Sequence, residues 1–228
     1  MGFRLVVGVC VFLVVWLPVF SGAAQSMSLP EDIFYWQCDP QWGSDPLGSS
    51  GQCDTICAIG VLVTCGSMLL SWVAEEASPN PGELSQWLAA NGGYVGCSLL
   101  WTAVAAYDGQ GSGLEWQGAT NLTFDDWAAL DAELDAPGRM PVVKVLGGAH
   151  WVVVYERKGP SGDFGSYRVL DPGQTSFSAD RSLADFPPVG GQVIFGISVY
   201  SGAFPTPQVV FADGFESGST GKWAVAVP

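Results

Sequence analysis

The apolar period of this chain changes once, near residue 140. Before that point apolar residues recur at helical spacing. Leu62, Cys65, Leu69 and Trp72, with Met68 beside them, predict a helix over 59–77. That segment is apolar almost all round, which makes it a central buried helix rather than a surface one. After residue 140 the runs are β-branched: 141–146, 150–157, 167–170 and 192–200 read as strands. Helices first and strands second define an α+β domain, a helical half followed by an antiparallel sheet.

Three shorter helices complete the first half. Ser78-Pro79-Asn80-Pro81 stops the long helix, and Pro81 suits the first turn of a helix over 82–90 closed by Asn91-Gly92-Gly93. Helices are also expected over 99–107 and over 125–134, the latter with Thr123 as its cap. Residues 25–50 read as extended and turn-rich. Pro205 and Pro207 mark a linker, so the domain is expected over 25–200, with a linker and short tail over 201–228. The run Asn121-Leu122-Thr123 matches a glycosylation sequon, a pattern common by chance.

The first 24 residues read as a targeting segment. Arg4 is followed by the apolar stretch Leu5 to Phe20 and by the small residues Ser21-Gly22-Ala23-Ala24, with cleavage expected after Ala24. The stretch is short for a membrane span, so no span is expected in the mature chain. Secretion or residence in the cell envelope is the expected localisation. Cleavage removes one of eight bases and none of twenty-two acids, taking the net charge from −14 to −15. Phosphate binding needs clustered Lys and Arg, so nucleic acid is excluded as a partner and anionic membrane surfaces are disfavoured. Cys10 falls in the targeting segment. Five cysteines remain, at 38, 53, 57, 65 and 97; an odd number leaves at least one outside any bridge within the chain, and the pairing stays open.

The chemistry concentrates in two segments. His150, the only histidine, opens one β-branched run; Asp171, before Pro172-Gly173, ends another. Neighbouring strands would bring imidazole and carboxylate together, two-thirds of a nucleophilic triad, and the same pair would also serve as a structural histidine. A single histidine excludes the usual multi-His catalytic metal site, and no metal or cofactor is expected. Ser67 lies too deep in its helix to act as a nucleophile. Trp36, Trp42, Trp72, Trp87, Trp101, Trp116, Trp127 and Trp151 sit in core-like segments and read as packing rather than a carbohydrate platform.

Several motifs in order carry a resemblance. Gln37-Cys38-Asp39-Pro40-Gln41-Trp42-Gly43 resembles the opening Gln-x-Asp-x-x-Trp of peptidase C-39-like proteins, exported relatives of the domains that trim bacteriocin leader peptides. Thr55-Ile56 and Val61 through Leu70 resemble their helix signature. Asn80-Pro81-Gly82-Glu83-Leu84, Trp87-Leu88, Asn91-Gly92-Gly93-Tyr94 and Leu100-Trp101 resemble the next segment. Pro141-Val142-Val143, Ala149 through Val154 and Leu170-Asp171-Pro172-Gly173 complete a match over roughly residues 33 to 186. The tail from Asp213 through Trp223 resembles a short ending of exported bacterial proteins.

The resemblance implies a papain-like cysteine peptidase fold and a peptide substrate cut near small residues such as Gly-Gly. It implies His150 as base, Asp171 as its orienter and Gln37 as an oxyanion donor. The family's helix begins Gly-Cys seven residues before the Met, where this chain has Gly60-Val61. Val61 therefore holds the nucleophile position and has no titratable atom. Cys57, with Gln52 before it, is an alternative nucleophile if the helix start shifts; Cys65 would lie one turn too deep. The expected protein is a catalytically impaired peptidase homologue that binds an extended peptide. The alternatives are an active cysteine peptidase using Cys57, and a disulfide-braced structural or sorted envelope protein. The sequence leaves the oligomeric state open.

Overall fold

The computed structural model describes residues 31–49, 53–75, 78–108 and 112–204. The expected signal, the linker beyond residue 204, the tail and Gln52 lie outside the described residues. The long helical segment divides at Gly60 into α1 (Ile56–Ile59) and α2 (Val61–Ala74). It ends three residues early, where Glu75 turns left-handed at φ 55°. Residues 63 to 72 of α2 are all buried, as a helix apolar all round requires. Gly66 lets the neighbouring helices approach: a Cβ there would meet Val104 at 3.1 Å and Leu84 at 3.3 Å.

Helix α3 (Pro81–Ala90) has Pro81 in its first turn, as expected. Its cap is a reciprocal box: the Asn80 side chain accepts from the Glu83 N–H, and Glu83 accepts from the Asn80 N–H. A two-stranded hairpin follows, β1 (Tyr94–Val95) with β2 (Ser98–Leu99), and then the short α4 (Trp101–Ala105). Helix α5 (Trp127–Asp135) starts later than expected, because Asp126 rather than Thr123 accepts the Ala129 N–H.

The sheet is antiparallel throughout, ordered β3-β7-β4-β5-β6. Three expected strands are present, as β4 (Arg139–Val145), β5 (His150–Arg157) and β6 (Tyr167–Leu170). β7 (Gly196–Ser201) is shorter at its start than the run from 192 implied. β3 (Glu115–Asn121) was not expected from the sequence. Side chains alternate between two cores: Val142 and Val153 pack toward the helices, and Val143, Val152 and Val154 toward α5 and the 3-10 turn Leu183–Asp185. Both faces are covered, which is why these strands read as continuous apolar runs. The molecule is thus a mixed α+β structure.

Two disulfides, Cys38–Cys57 and Cys53–Cys97, brace the helical half, and Cys65 is a buried free thiol. Bridges of this kind persist in oxidising compartments. Among the described residues no helix is long and apolar enough to cross a membrane.

Candidate functional site

The tight β4–β5 connection, in which Val145 pairs with His150, sets the imidazole at the start of β5. Asp171 follows the last residue of β6, the strand beside β5. Their side chains meet, with His150 Nε2 2.6 Å from Asp171 Oδ1. Gly173 N donates to the same oxygen at 2.9 Å. The approach is close: a Cβ on residue 173 would stand 3.1 Å from Oδ1 and 3.4 Å from His150 Cε1. On the other oxygen, Arg181 Nε and Nη2 donate to Oδ2 at 3.1 and 2.8 Å. Asp171 is 3 % exposed. Burial alone would raise its carboxyl; the hydrogen bond and charge of His150, the Gly173 N–H and Arg181 outweigh it and hold the group below the ordinary carboxylate range.

A depressed native pKa gives stability that is complete above the unfolded-state value of about 3.9 and is lost as pH falls through the lower native value. The wild-type denaturation midpoint should therefore fall more steeply below about pH 4 than that of Asp171→Asn, as urea titrations at successive pH values would measure. Equal slopes would mean that Asp171 carries no linked charge.

The position of Val61 follows from two contacts between α2 and β5. Cys65 Sγ lies 3.7 Å from the Trp151 carbonyl oxygen, and the Trp72 and Tyr155 rings are 6.0 Å apart. Helix and strand therefore advance in the same sense. Four residues back along α2 is about 6 Å, or about two residues of strand. That sets Val61 level with residues 149–150. Val61 is the first residue of α2, and Gly60 before it supplies no side-chain cap. Val61 thus begins the helix at about the level of His150 along its axis.

Gln37 joins the same place. Its backbone N donates to the Pro172 carbonyl at 2.9 Å, and its Nε2 donates to the Cys57 carbonyl at 2.6 Å. Its Oε1 is buried with no protein partner. Cys57 belongs to the cluster by position but has no thiol: its sulfur is bonded to that of Cys38, and a disulfide sulfur cannot act as a thiolate nucleophile. Cys65 is also removed from chemistry, 1 % exposed, with its thiol pushed well up by burial and then by the charge of Asp171.

Beside this cluster runs a groove of about 340 Å³ lined by Leu47, Ile59, Leu62, Leu99, Trp101 and Trp151. Trp101 and Trp151 meet edge to face at 5.1 Å, and the Lys144 ammonium lies 5.6 Å from the Trp151 ring. Cys97, on the groove wall, anchors it through the bridge to Cys53. A second cleft of about 270 Å³, between α5 and the β3–β7 edge, contains the Arg139–Glu133 ion pair at 2.6 Å and none of the groups above. None of the eight tryptophans singled out in the sequence is exposed, and of these Trp101 and Trp151 line the groove. Among the described residues no three His, Cys, Asp or Glu side chains cluster as a metal site would require.

The structure thus links Gln37 to Cys57 and, through Pro172, to the neighbourhood of the His150–Asp171 pair; Val61 begins α2 four residues beyond Cys57. It adds Arg181, ten residues beyond Asp171, for which no motif or periodicity gave a signal. No protein-family model matches the chain, and neither a curated protein nor a solved structure does.

Proposed function

We propose that this chain is an exported, papain-like homologue of the peptidase C-39-like proteins that has lost its nucleophile and binds an extended peptide without cutting it. The observation that carries the reading is the His150–Asp171 pair, with Gln37 bonded beside it to Pro172 and to Cys57; valine at the start of the central helix supports it. A thiol there would complete a cysteine-peptidase constellation; valine leaves the geometry without the chemistry. The groove lined by Leu62, Leu99, Trp101 and Trp151, the last of them one residue along β5 from His150, gives an extended chain a surface for alternate side chains. Export fits the two disulfides and the apolar N-terminal sequence. In the competing reading Cys57 is the nucleophile, which requires the Cys38–Cys57 bridge to open first.

The test uses a capped octapeptide with two leucines ahead of a Gly-Gly pair. Binding is followed by the tryptophan fluorescence of the protein, and the peptide is then examined by mass spectrometry. A saturable change that is lost in Trp151→Ala, with the peptide recovered intact, is the expected result. Cleavage without added reductant would overturn the loss of activity, and no saturable change would overturn peptide capture.

A further inference from the structure

We propose that Arg181 is the positioning residue of the His150–Asp171 pair: by holding one carboxylate oxygen with two donors, it fixes the imidazole with Nε2 bonded to Asp171 and Nδ1 left for a ligand. The proposal concerns the same site as the peptide-binding reading but does not depend on any peptide being bound.

A carboxylate turns easily about its last torsion, and its two oxygens are chemically equivalent. Here they are made different. Both Arg181 donors converge on Oδ2, while Oδ1 receives His150 and the Gly173 N–H. Turning the carboxylate out of this plane would break these four hydrogen bonds and a longer one from Gln174 Nε2 to Oδ2 at 3.5 Å, around a group that is almost wholly buried. Because an ionised carboxylate only accepts, Nε2 must carry the proton, and the lone pair of the neutral ring is then at Nδ1. Among the described residues Nδ1 has no protein hydrogen-bond partner.

Arg181 is itself braced. Its Nη1 lies 3.5 Å from Asp185 Oδ1, and its guanidinium sits 4.9 Å from the Phe186 ring centroid. Asp185 is held by the Ser182 N–H at 2.8 Å, within the capping box of the 3-10 turn. Phe186 in turn faces His150, ring centroids 6.1 Å apart and 33° from parallel. The Arg181 carbonyl accepts the Val169 N–H at 3.0 Å, tying the assembly to β6. The same 3-10 turn thus supports the imidazole twice, through Arg181 and Asp171 on one side and through Phe186 on the other.

The chain has a single histidine, so every imidazole signal in the whole protein belongs to His150. With ¹⁵N-labelled histidine, NMR reads the tautomer from the two ring-nitrogen shifts and measures exchange of the Nε2 proton with water. At a pH high enough for the ring to be neutral, wild type is expected to hold one tautomer, protonated at Nε2, with slow exchange. Arg181→Met, which keeps an unbranched side chain but loses the donors, should exchange at least tenfold faster and show mixed tautomers. Arg181→Lys, with one donor group and no fork, should fall between. A folded Arg181→Met with wild-type tautomer and exchange would overturn the proposal. Should that variant fail to fold, wild-type behaviour in Arg181→Lys overturns it instead. A purely structural role would lower the denaturation midpoint and leave both NMR readouts unmoved.

Discussion

Val61→Cys is expected to gain a fast-alkylating thiol that the wild-type protein lacks. The native background is silent, because four of the described cysteines are bridged and Cys65 is buried. A cysteine at residue 61 would begin a fourteen-residue helix whose first N–H groups have no side-chain cap. Those groups and the helix dipole favour an anion, and an imidazole level with the sulfur favours it further. An ordinary thiol of pKa near 8.5 is roughly 0.3 % ionised at pH 6, whereas one depressed to about 6 is about half ionised. The ionised fraction rises by about 150-fold. Lower basicity costs roughly a factor of ten or slightly more in intrinsic nucleophilicity, so a net gain of about tenfold over an exposed cysteine remains at pH 6. Iodoacetamide labelling between about pH 5 and 8, without reductant and mapped by mass spectrometry, measures it. The added variant His150→Ala should return the rate and its pH dependence to those of an ordinary thiol. A new cysteine that behaves as ordinary with His150 intact would separate Val61 from the imidazole and remove the ground for a peptidase ancestry.

The elements that the sequence revealed are those whose burial leaves a pattern. α2 was legible because it is apolar on all sides, α3 because Asn80, Pro81 and Asn91-Gly92 punctuate it, and β4 to β6 because both of their faces are covered. β3 was not, and its chemistry explains why. It is an edge strand with mostly exposed side chains, broken by a register shift between Trp116 and Gly118, so no alternation reaches the sequence. The start of β7 was misjudged for another reason. Val193 and Ile194 are buried, but Asp125 Oδ1 takes both of their N–H groups, at 2.9 and 2.7 Å, so the segment is core without being strand. In the site, His150 and Asp171 were legible because one opens a β-branched run and the other directly follows one. That a helix begins at Val61 was not legible: the helical spacing runs on from residue 59, and the break at Gly60 divides it. Arg181 was not legible either, because its contact with Asp171 depends on how a loop returns, and the disulfide pairing was not, because five cysteines allow many.

Reduction of both disulfides is expected to unfold the domain. On the chain-entropy model, a bridge spanning 44 residues, as Cys53–Cys97 does, stabilises by about 4 kcal/mol. Cys38–Cys57, spanning 19, contributes about 3 kcal/mol. The loops overlap between residues 53 and 57, so their sum is an upper bound, but it still matches the lower part of the 5–15 kcal/mol, roughly, that holds a typical domain together. The bridges also act locally. Cys97 ties down the β1–β2 hairpin, whose two-residue strands are too short to stand alone. Cys38 ties the segment carrying Gln37 to the turn that precedes α2. Urea unfolding followed by near-ultraviolet circular dichroism, with and without a phosphine reductant, measures the effect, and the separate Cys53→Ser/Cys97→Ser and Cys38→Ser/Cys57→Ser variants apportion it. The first pair should cost more in stability, and the second should disturb the His150 ring signal more, because only that bridge adjoins Gln37 and Pro172. A denaturation midpoint unmoved by reduction would mean that the helical half is held by its core alone. The need for an oxidising compartment, and with it the strongest physical reason for export, would then fall away.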